Sequence, residues 1–331
     1  MAKMIYFQRI VTLSFIILFG NISTGLFAQG GYAGAFLRMG LGARSESMGR
    51  AYTAISGSAE SAYFNPASVT AMQDRGIDVS MRSLSLDRRF AYLGFSTAIK
   101  PGAKSGAKSG ARVPEGGVAL TWIHASTTNI DGRDSDGRKF DSFSNYENAI
   151  NFSFGLKFSE RFSAGITART IWNNFPGLGT DDADMSSRSI GVDLGALVSP
   201  MQNVWLGAVI KNLNSKYNWN SDKIYERGTS TKDEFPQVWR LGIATRQINN
   251  KLLVAADIEG SKKFDPRFMF GAEYMVVQNA LLRAGFRDGN PTFGAAYLFE
   301  FKGVAAGLHY AFASQADEID SDHVFSWSFA F

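Results

Sequence analysis

His323-Val324-Phe325-Ser326-Trp327-Ser328-Phe329-Ala330-Phe331 closes the chain with an aromatic ring at every second position. Phe325, Trp327, Phe329 and Phe331 fall on one side of an extended strand, while Ser326, Ser328 and Ala330 fall on the other. One face is made for lipid or core and the other for something smaller and wetter. Which of the two it is depends on how much alternating strand precedes it.

Working back from that stretch, Gly303 to Ala313 puts Val304, Ala306, Leu308, Tyr310 and Phe312 on one face. Thr292 to Phe301 does the same with Phe293, Ala295, Tyr297, Phe299 and Phe301, and Tyr146 to Phe158 with Ile150, Phe152, Phe154, Leu156 and Phe158. Their partners, among them Asn151, Ser153, Gly155, Gly294 and Gly307, are small or polar. From Gly76 onward the chain divides into about fourteen such segments, the even number that bacterial single-chain barrels require. A β-sandwich also alternates, but its strands average roughly 5 or 6 residues. Several segments here reach the roughly 9 to 11 that a tilted membrane-spanning strand needs.

Connections give a second test. Ser159-Glu160, Pro200 to Asn203, Gln247 to Asn250, Val277 to Asn279 and Lys302 are short, as periplasmic turns are. Ser126 to Asn145, Asn173 to Ser187, Asn214 to Pro236, Ser261 to Pro266 and Ser314 to Asp322 alternate with them as outer loops. Lys100 to Gly116 breaks the rule, being long, basic and on the periplasmic side; it reads as an insertion in a turn or a docking tether. A terminal aromatic closing such a strand is similar to the signature of bacterial outer-membrane β-barrels. That resemblance implies that Phe325, Trp327, Phe329 and Phe331 are the signal read by the barrel-assembly machinery.

At the other end, Lys3 and Arg9 precede an apolar run from Ile10 to Phe19, and small and polar residues lead to Ala28-Gln29. This reads as a secretory signal peptide over residues 1–28. The apolar run is about half of the roughly 20 residues a membrane helix needs. No later stretch is long enough either, so any membrane span is β. The chain has no cysteine, which excludes disulfides, thiolate metal sites and a cysteine nucleophile. A net charge of +4, spread along strands and turns, gives no basic stripe for nucleic acid.

The polar face carries Asp78, Arg82, Lys157, Arg169, Asp193, Lys211, Arg240, Arg246, Asp257, Glu259, Glu273, Arg283 and Glu300, with both signs interspersed. Such charges can pair across the lumen, whereas an ion-selective pore more readily shows a ring of one sign. A filled lumen is expected. Residues 29–75 are the candidate filling, since they alone form a long stretch without strand alternation and are rich in Gly, Ala, Ser and Met. Asn65-Pro66-Ala67 sets a good N-cap before a proline suited to a first helical turn, predicting a short helix through Met72.

Leu37-Arg38-Met39-Gly40, Gly42-Ala43-Arg44, Met48-Gly49, Ala51-Tyr52, Ala62-Tyr63 and Asn65-Pro66-Ala67 together resemble the opening of the PorV/PorQ family of outer-membrane proteins. Arg50 stands where that family usually has Gly. The resemblance covers about forty residues and implies a FadL-like transmembrane antiparallel β-barrel of fourteen strands over 76–331, with a hatch inside the lumen over 29–75. It further implies a non-enzymatic shuttle in type IX protein secretion, whose partners are the translocon and secreted cargo proteins.

Sharper chemistry finds little support. Asp131-Gly-Arg-Asp-Ser-Asp-Gly has its calcium-loop spacing broken by Arg133. His124, His309 and His323 are scattered, Gly177 to Gly179 lacks the context of a phosphate loop, and Asp181-Asp182 belongs to a wet loop. No catalytic residue, cofactor or metal is expected. Two functions remain. A secretion scaffold would bind partners at its outer loops, with Tyr217, Trp219, Tyr225 and Arg227 as anchors or, equally, as girdle aromatics packed at the outer-membrane lipid interface. A FadL-type transporter of hydrophobic molecules would instead pass them through a hatch gated at Gly40 to Gly49 and Asn65 to Ala67. The charged lumen counts against the second function, and the hatch suits both.

Overall fold

Fourteen strands join edge to edge into a closed antiparallel barrel. The structure, a computed structural model, describes residues 32–99, 115–178, 184–222, 228–314 and 321–331. The signal-peptide reading of 1–28, most of the Lys100 to Gly116 connection, Asp181-Asp182, and the proposed anchors Tyr225 and Arg227 lie outside the described residues. The first half of the wall holds β1 (Gly76–Leu84), β2 (Arg88–Ile99), β3 (Glu115–Arg133), β4 (Lys139–Ser159), β5 (Phe162–Phe175), β6 (Met185–Met201) and β7 (Val204–Leu213). After two strands that stand apart, β8 (Lys216–Asn220) and β9 (Ser230–Glu234), it resumes with β10 (Val238–Gln247), β11 (Leu252–Ser261) and β12 (Phe264–Val277). It ends with β13 (Ala280–Arg287), β14 (Asn290–Phe301), β15 (Val304–Ala313) and β16 (Asp322–Ala330).

Closure comes from β1 and β16, which pair from Gly76↔Ala330 to Met81↔Phe325. Beyond them Arg75 and Phe331 exchange both backbone hydrogen bonds. Alternation sorts the two faces as the sequence implies. Phe152, Phe293, Tyr297, Phe301, Leu308, Phe325 and Trp327 stand exposed on the outside, as a lipid-facing surface requires. Ser80, Thr121, Asn151, Arg169, Asp193, Asp257 and Glu273 are buried on the inside. Among the described residues no helix is long and apolar enough to cross a membrane, so the strands do so.

The outer connections differ from the expectation most of all in two places, and Ser261 to Pro266 is likewise shorter, only 262–263 lying outside β11 and β12. Ser126 to Asn145 is mostly strand: β3 and β4 stay paired as far as Arg133↔Lys139, and only 134–138 turn. The Asp134 carboxylate holds that turn by accepting from the backbone N–H groups of Asp136 and Arg138. Asp131, in the stretch weighed as a calcium loop, is ion-paired to Arg133 and Lys139. Asn214 to Pro236 is no open loop either, since β8 and β9 form a hairpin there. Asn212 and Asn214, both at positive φ, turn the chain out of the wall into that hairpin, in the region asparagine tolerates best among non-glycine residues.

Inside the wall, charges pair across strands. Arg169 on β5 is almost fully buried and donates to Asn151 on β4, to Asn212 at 2.7 Å and to Asp193 on β6. Losing one member of a buried pair strands the other charge, at about 3–5 kcal/mol. Arg169→Leu should therefore lower the temperature at which the folded barrel unfolds in a heat-modifiability gel. Adding Asp193→Leu should recover much of the loss. No shift in the single variant would show that this network carries no stability.

Candidate functional site: the N-terminal segment against the inner wall

Residues 32–75 fold as two short helices and two 3₁₀ turns. These are a turn over Ala35–Arg38, α1 (Ala43–Ser47), α2 (Ala59–Phe64) and a turn over Pro66–Ala71. Local chemistry explains the last two. Ser58 and Ser61 form a reciprocal capping box at the start of α2, and Asn65 Oδ1 accepts from Ala67 N at 3.0 Å ahead of Pro66. This is the short helix that Asn65-Pro66-Ala67 predicts, wound as 3₁₀. The segment is too short and polar to hold itself together, and its fold is completed by the barrel wall.

The wall meets it with glycine. Gly117, Gly155, Gly165 and Gly195 face one another across β3 to β6 in direct register, as do Gly207 and Gly242 on β7 and β10, and Gly271 and Gly285 on β12 and β13. A Cβ on Gly117 would lie 2.0 Å from the Val69 carbonyl oxygen, one on Gly165 2.5 Å from Pro66 C, and one on Gly207 2.2 Å from the Thr53 oxygen. On the far side, a Cβ on Gly271 would meet the Met48 oxygen at 2.4 Å. Such distances are backbone against backbone, so no rotamer change relieves them. The glycines form a seat cut to the segment's main chain.

Polar ties fix the segment in that seat. Asp257 Oδ2 on β11 accepts from Tyr52 N and Thr53 N at 2.9 Å and from Thr53 Oγ1 at 2.6 Å. Arg44 makes a two-pronged pair with Glu273 at 2.9 and 2.8 Å, and Glu273 also accepts from Arg283. Arg82 Nη2 donates to the Met39 and Gly40 carbonyls at 2.7 Å, and Lys211 Nζ donates to the Tyr63 carbonyl at 2.8 Å while lying 3.6 Å from the centre of its ring. Asn65 Nδ2 bridges Thr53 O within the segment and Ala196 O on β6.

Glu46 is the electrostatic centre. Its side chain is wholly buried, with Arg50 at 2.7 Å, Arg287 at 3.2 Å and Arg82 at 3.4 Å. Burial disfavours the ionised form, but the three guanidiniums outweigh it and hold the carboxyl at about 2, below its ordinary 4.5. Glu60 has no such company; burial pushes its carboxyl up even though it accepts from Gly42 N at 2.8 Å. Arg50 sits at φ 64, a backbone conformation that suits glycine, which gives a physical reason for glycine at this position in the family resembled above. Here the Arg50 side chain gains Glu46 and the carbonyls of Arg38 and Met39 in exchange.

The residues marked by the sequence fall into four groups. Gly40, Gly42, Arg44, Met48, Gly49, Asn65, Pro66 and Ala67 lie against the wall or against one another in the segment, and Met48 and Ala67 are fully buried. Arg38 and Met39 line or flank the outer mouth. Phe325, Trp327, Phe329 and Phe331 line the outside of the wall, exposed. Tyr217 differs from its expected role as an outer anchor. It is 2% exposed, its ring packs against Phe235 at 4.8 Å, and its hydroxyl donates to Glu147. Phe235 in turn covers Gly34, and Trp219 rests on Phe175, so the β8–β9 hairpin roofs the segment. Glu46, Asp257 and the glycine seat were not singled out as a site. Their one sequence signal is the recurrence of glycine at inward mid-strand positions.

At the outer end the segment leaves a cavity of about 50 Å³. Leu37, Tyr63, Phe64, Val238 and Met269 line it together with Arg38, Arg50, Lys211, Arg240, Arg267 and Arg287, against Glu259 and Asp288. Arg38 and Lys211 form no ion pair among the described residues.

Fold and lumen together define a membrane-spanning barrel of the bacterial outer-membrane class. No protein-family model and no curated protein matches the sequence. Among solved structures the chain is similar to the toluene transporter TodX of Pseudomonas putida, with a TM-score of 0.60 and 15% identity over 88% of this chain and 98% of that one. The Ralstonia pickettii toluene transporter TbuX matches with 0.57 and 14%, and a Pseudomonas aeruginosa FadL homologue with 0.60 and 11%, at the same coverage. The barrel is FadL-like. These likenesses carry the fold and not the narrower PorV/PorQ membership.

Two outcomes test the seat. Gly165→Val and Gly207→Val should expose 32–75 to limited proteolysis while Ala168→Val, on the outer face of β5, leaves it protected; equal protection in all three would remove the seat. A carboxyl depressed by folding stabilises above its unfolded pKa and loses that contribution as the pH falls through the folded value. Protection of the segment in pulsed hydrogen exchange should accordingly hold from neutral pH down to about 4.5 and decline toward about 2. Glu46→Gln should show the weaker protection already at neutral pH.

Proposed function

We propose that the protein is an outer-membrane channel for small hydrophobic molecules, held shut by its N-terminal segment. The observation that carries this reading is the outer cavity, whose lining mixes apolar and cationic side chains and which the segment closes on one side. Its volume of about 50 Å³ accommodates a few waters. A cavity of roughly 150 Å³ is the size that takes up benzene, so a passenger even that small requires the segment to move. That mixed lining suits a molecule with an apolar body and an anionic end. Fold likeness to two toluene transporters supports the same class.

A scaffold for type IX secretion, binding translocon and cargo, is the second reading. It draws its support from the segment's PorV/PorQ-like motif and needs aromatic anchors free at the outer surface. Tyr217 is turned inward and Trp219 is engaged with Phe175, which favours transport.

Uptake of radiolabelled toluene and of oleate by cells of a host lacking its own channel of this kind tests the proposal. Thr70 Oγ1 on the segment lies 3.0 Å from Ser163 Oγ on β5, and the chain has no native cysteine, so Thr70→Cys with Ser163→Cys can be cross-linked cleanly. Uptake of at least one probe should exceed the host's background several-fold, fall on oxidation of the double variant and return with reductant. Background uptake of both probes would overturn the channel. Uptake indifferent to the cross-link would overturn displacement of this part of the segment.

A further inference from the structure

Residues that face one another across adjacent strands draw the edge of the lipid layer on the outside of β2 to β6. One row, Leu93–Trp122–Ile150–Thr170–Ile190, is exposed and apolar but for Thr170, and the row beneath it, Phe95–Leu120–Phe152–Ala168–Val192, is entirely apolar and exposed but for the half-buried Val192. The next row toward the outer end changes character abruptly to Ala91–His124–Asn148–Trp172–Arg188. Above it runs Arg89–Ser126–Tyr146–Asn174–Ser186. Hydrocarbon thus ends between Trp122 and His124, and the two polar rows lie at headgroup depth.

Arg89 and Arg188 point outward there, exposed, and make no hydrogen bond or ion pair among the described residues. The residues between them are ordered into a polar, aromatic surface. His124 stacks between Trp122 at 5.7 Å and Tyr146 at 6.3 Å, and Asn148 Oδ1 accepts from Trp122 Nε1 and faces His124 Nδ1 at 2.9 Å. At about 4.8 Å per strand the two arginines stand roughly 19 Å apart around the wall. In the opposite half of the barrel the outward strand positions near this end include the apolar or aromatic Ile210, Trp239, Phe286 and Phe293, with His323 on β16 the polar exception, and none of them is a cation like Arg89 or Arg188.

We infer that this sector binds a phosphorylated glycolipid of the outer leaflet. The guanidiniums of Arg89 and Arg188 take its phosphates, and the His124–Asn148–Trp172 row lies along its sugars. A guanidinium matches phosphate with parallel N–H donors, and at the edge of hydrocarbon the pairing is screened less than in bulk water. Indole and phenol rings favour this depth as amphipathic bodies. The site is independent of the lumen and of what passes through it.

Native mass spectrometry of the detergent-solubilised full chain, titrated with lipid A and with enzymatically dephosphorylated lipid A, is the test. The wild type should retain several-fold more of the phosphorylated form. Arg89→Gln with Arg188→Gln should bring retention down to the dephosphorylated level, while Lys262→Gln with Lys263→Gln, at the turn between β11 and β12, should not. Equal retention of both lipids by the wild type would overturn the inference, as would undiminished retention by the arginine variant or an equal loss in the lysine variant.

Discussion

Hydrocarbon offers a backbone amide no partner, so every N–H and C=O in the wall must be satisfied by another strand. The meeting of β1 with β16, completed by Arg75 and Phe331, is the condition on which everything else here rests. Once the ladder closes, the period of two fixes which side chains face lipid and which face the lumen. An outer surface of Phe, Leu, Trp and Ile and an inner surface of Gly, Ser, Asn, Arg, Asp and Glu follow without further choice.

The closed wall then poses a second problem, because an inward face rich in charge must pair its ions or hydrate them. The N-terminal segment takes part in the solution. Its own polar groups add partners to wall ions that are also paired within the sheet: Tyr52 and Thr53 amides on Asp257 beside Arg240, Arg44 on Glu273 beside Arg283, and Glu46 between Arg82 and Arg287. The glycine seat makes this possible, since only a wall without Cβ atoms lets two main chains approach to these distances. A charged lumen, which by itself argues against an apolar passenger, is on this view largely the segment's fastening. Among the described residues, a small outer cavity is left beside the segment. Opening would have to break several charge-assisted bonds together, each contributing about 1.5–3 kcal/mol, so a passenger would need strong differential binding or an external force to open the path.

The outer half of the molecule is lopsided. β3 and β4 rise well beyond their neighbours, the β8–β9 hairpin folds back over the segment, and β11–β12 and β13–β14 end in tight turns. The cavity is lined from the side of the short turns by Arg267, Arg287 and Asp288, while the outward arginines Arg89 and Arg188 lie on the side of β2 to β6. The cavity and the exposed arginines thus lie on different sides of the outer rim.

Much of this was determined by the sequence alone. Strict alternation over nine or more residues, as in Tyr146 to Phe158 and His323 to Phe331, is a local property, and it set strand positions, the fourteen-strand count and the lipid face. Asn65-Pro66 likewise marked a helical turn by its own capping chemistry. Contacts far apart in sequence were settled only by the tertiary structure. Asp257 and Tyr52 are 205 positions apart, and Arg44 and Glu273 are 229. Ser126 to Asn145 looked like a loop because its polar residues break the apolar alternation, yet beyond the lipid a strand needs no apolar face to stay paired. Tyr217 looked like a surface anchor because an aromatic in a polar stretch usually is one, until the hairpin turned it onto Phe235. Local pattern dictates where a strand runs and which way its side chains point, while the partner of each inward side chain depends on how the ladder closes, which no short window of sequence contains.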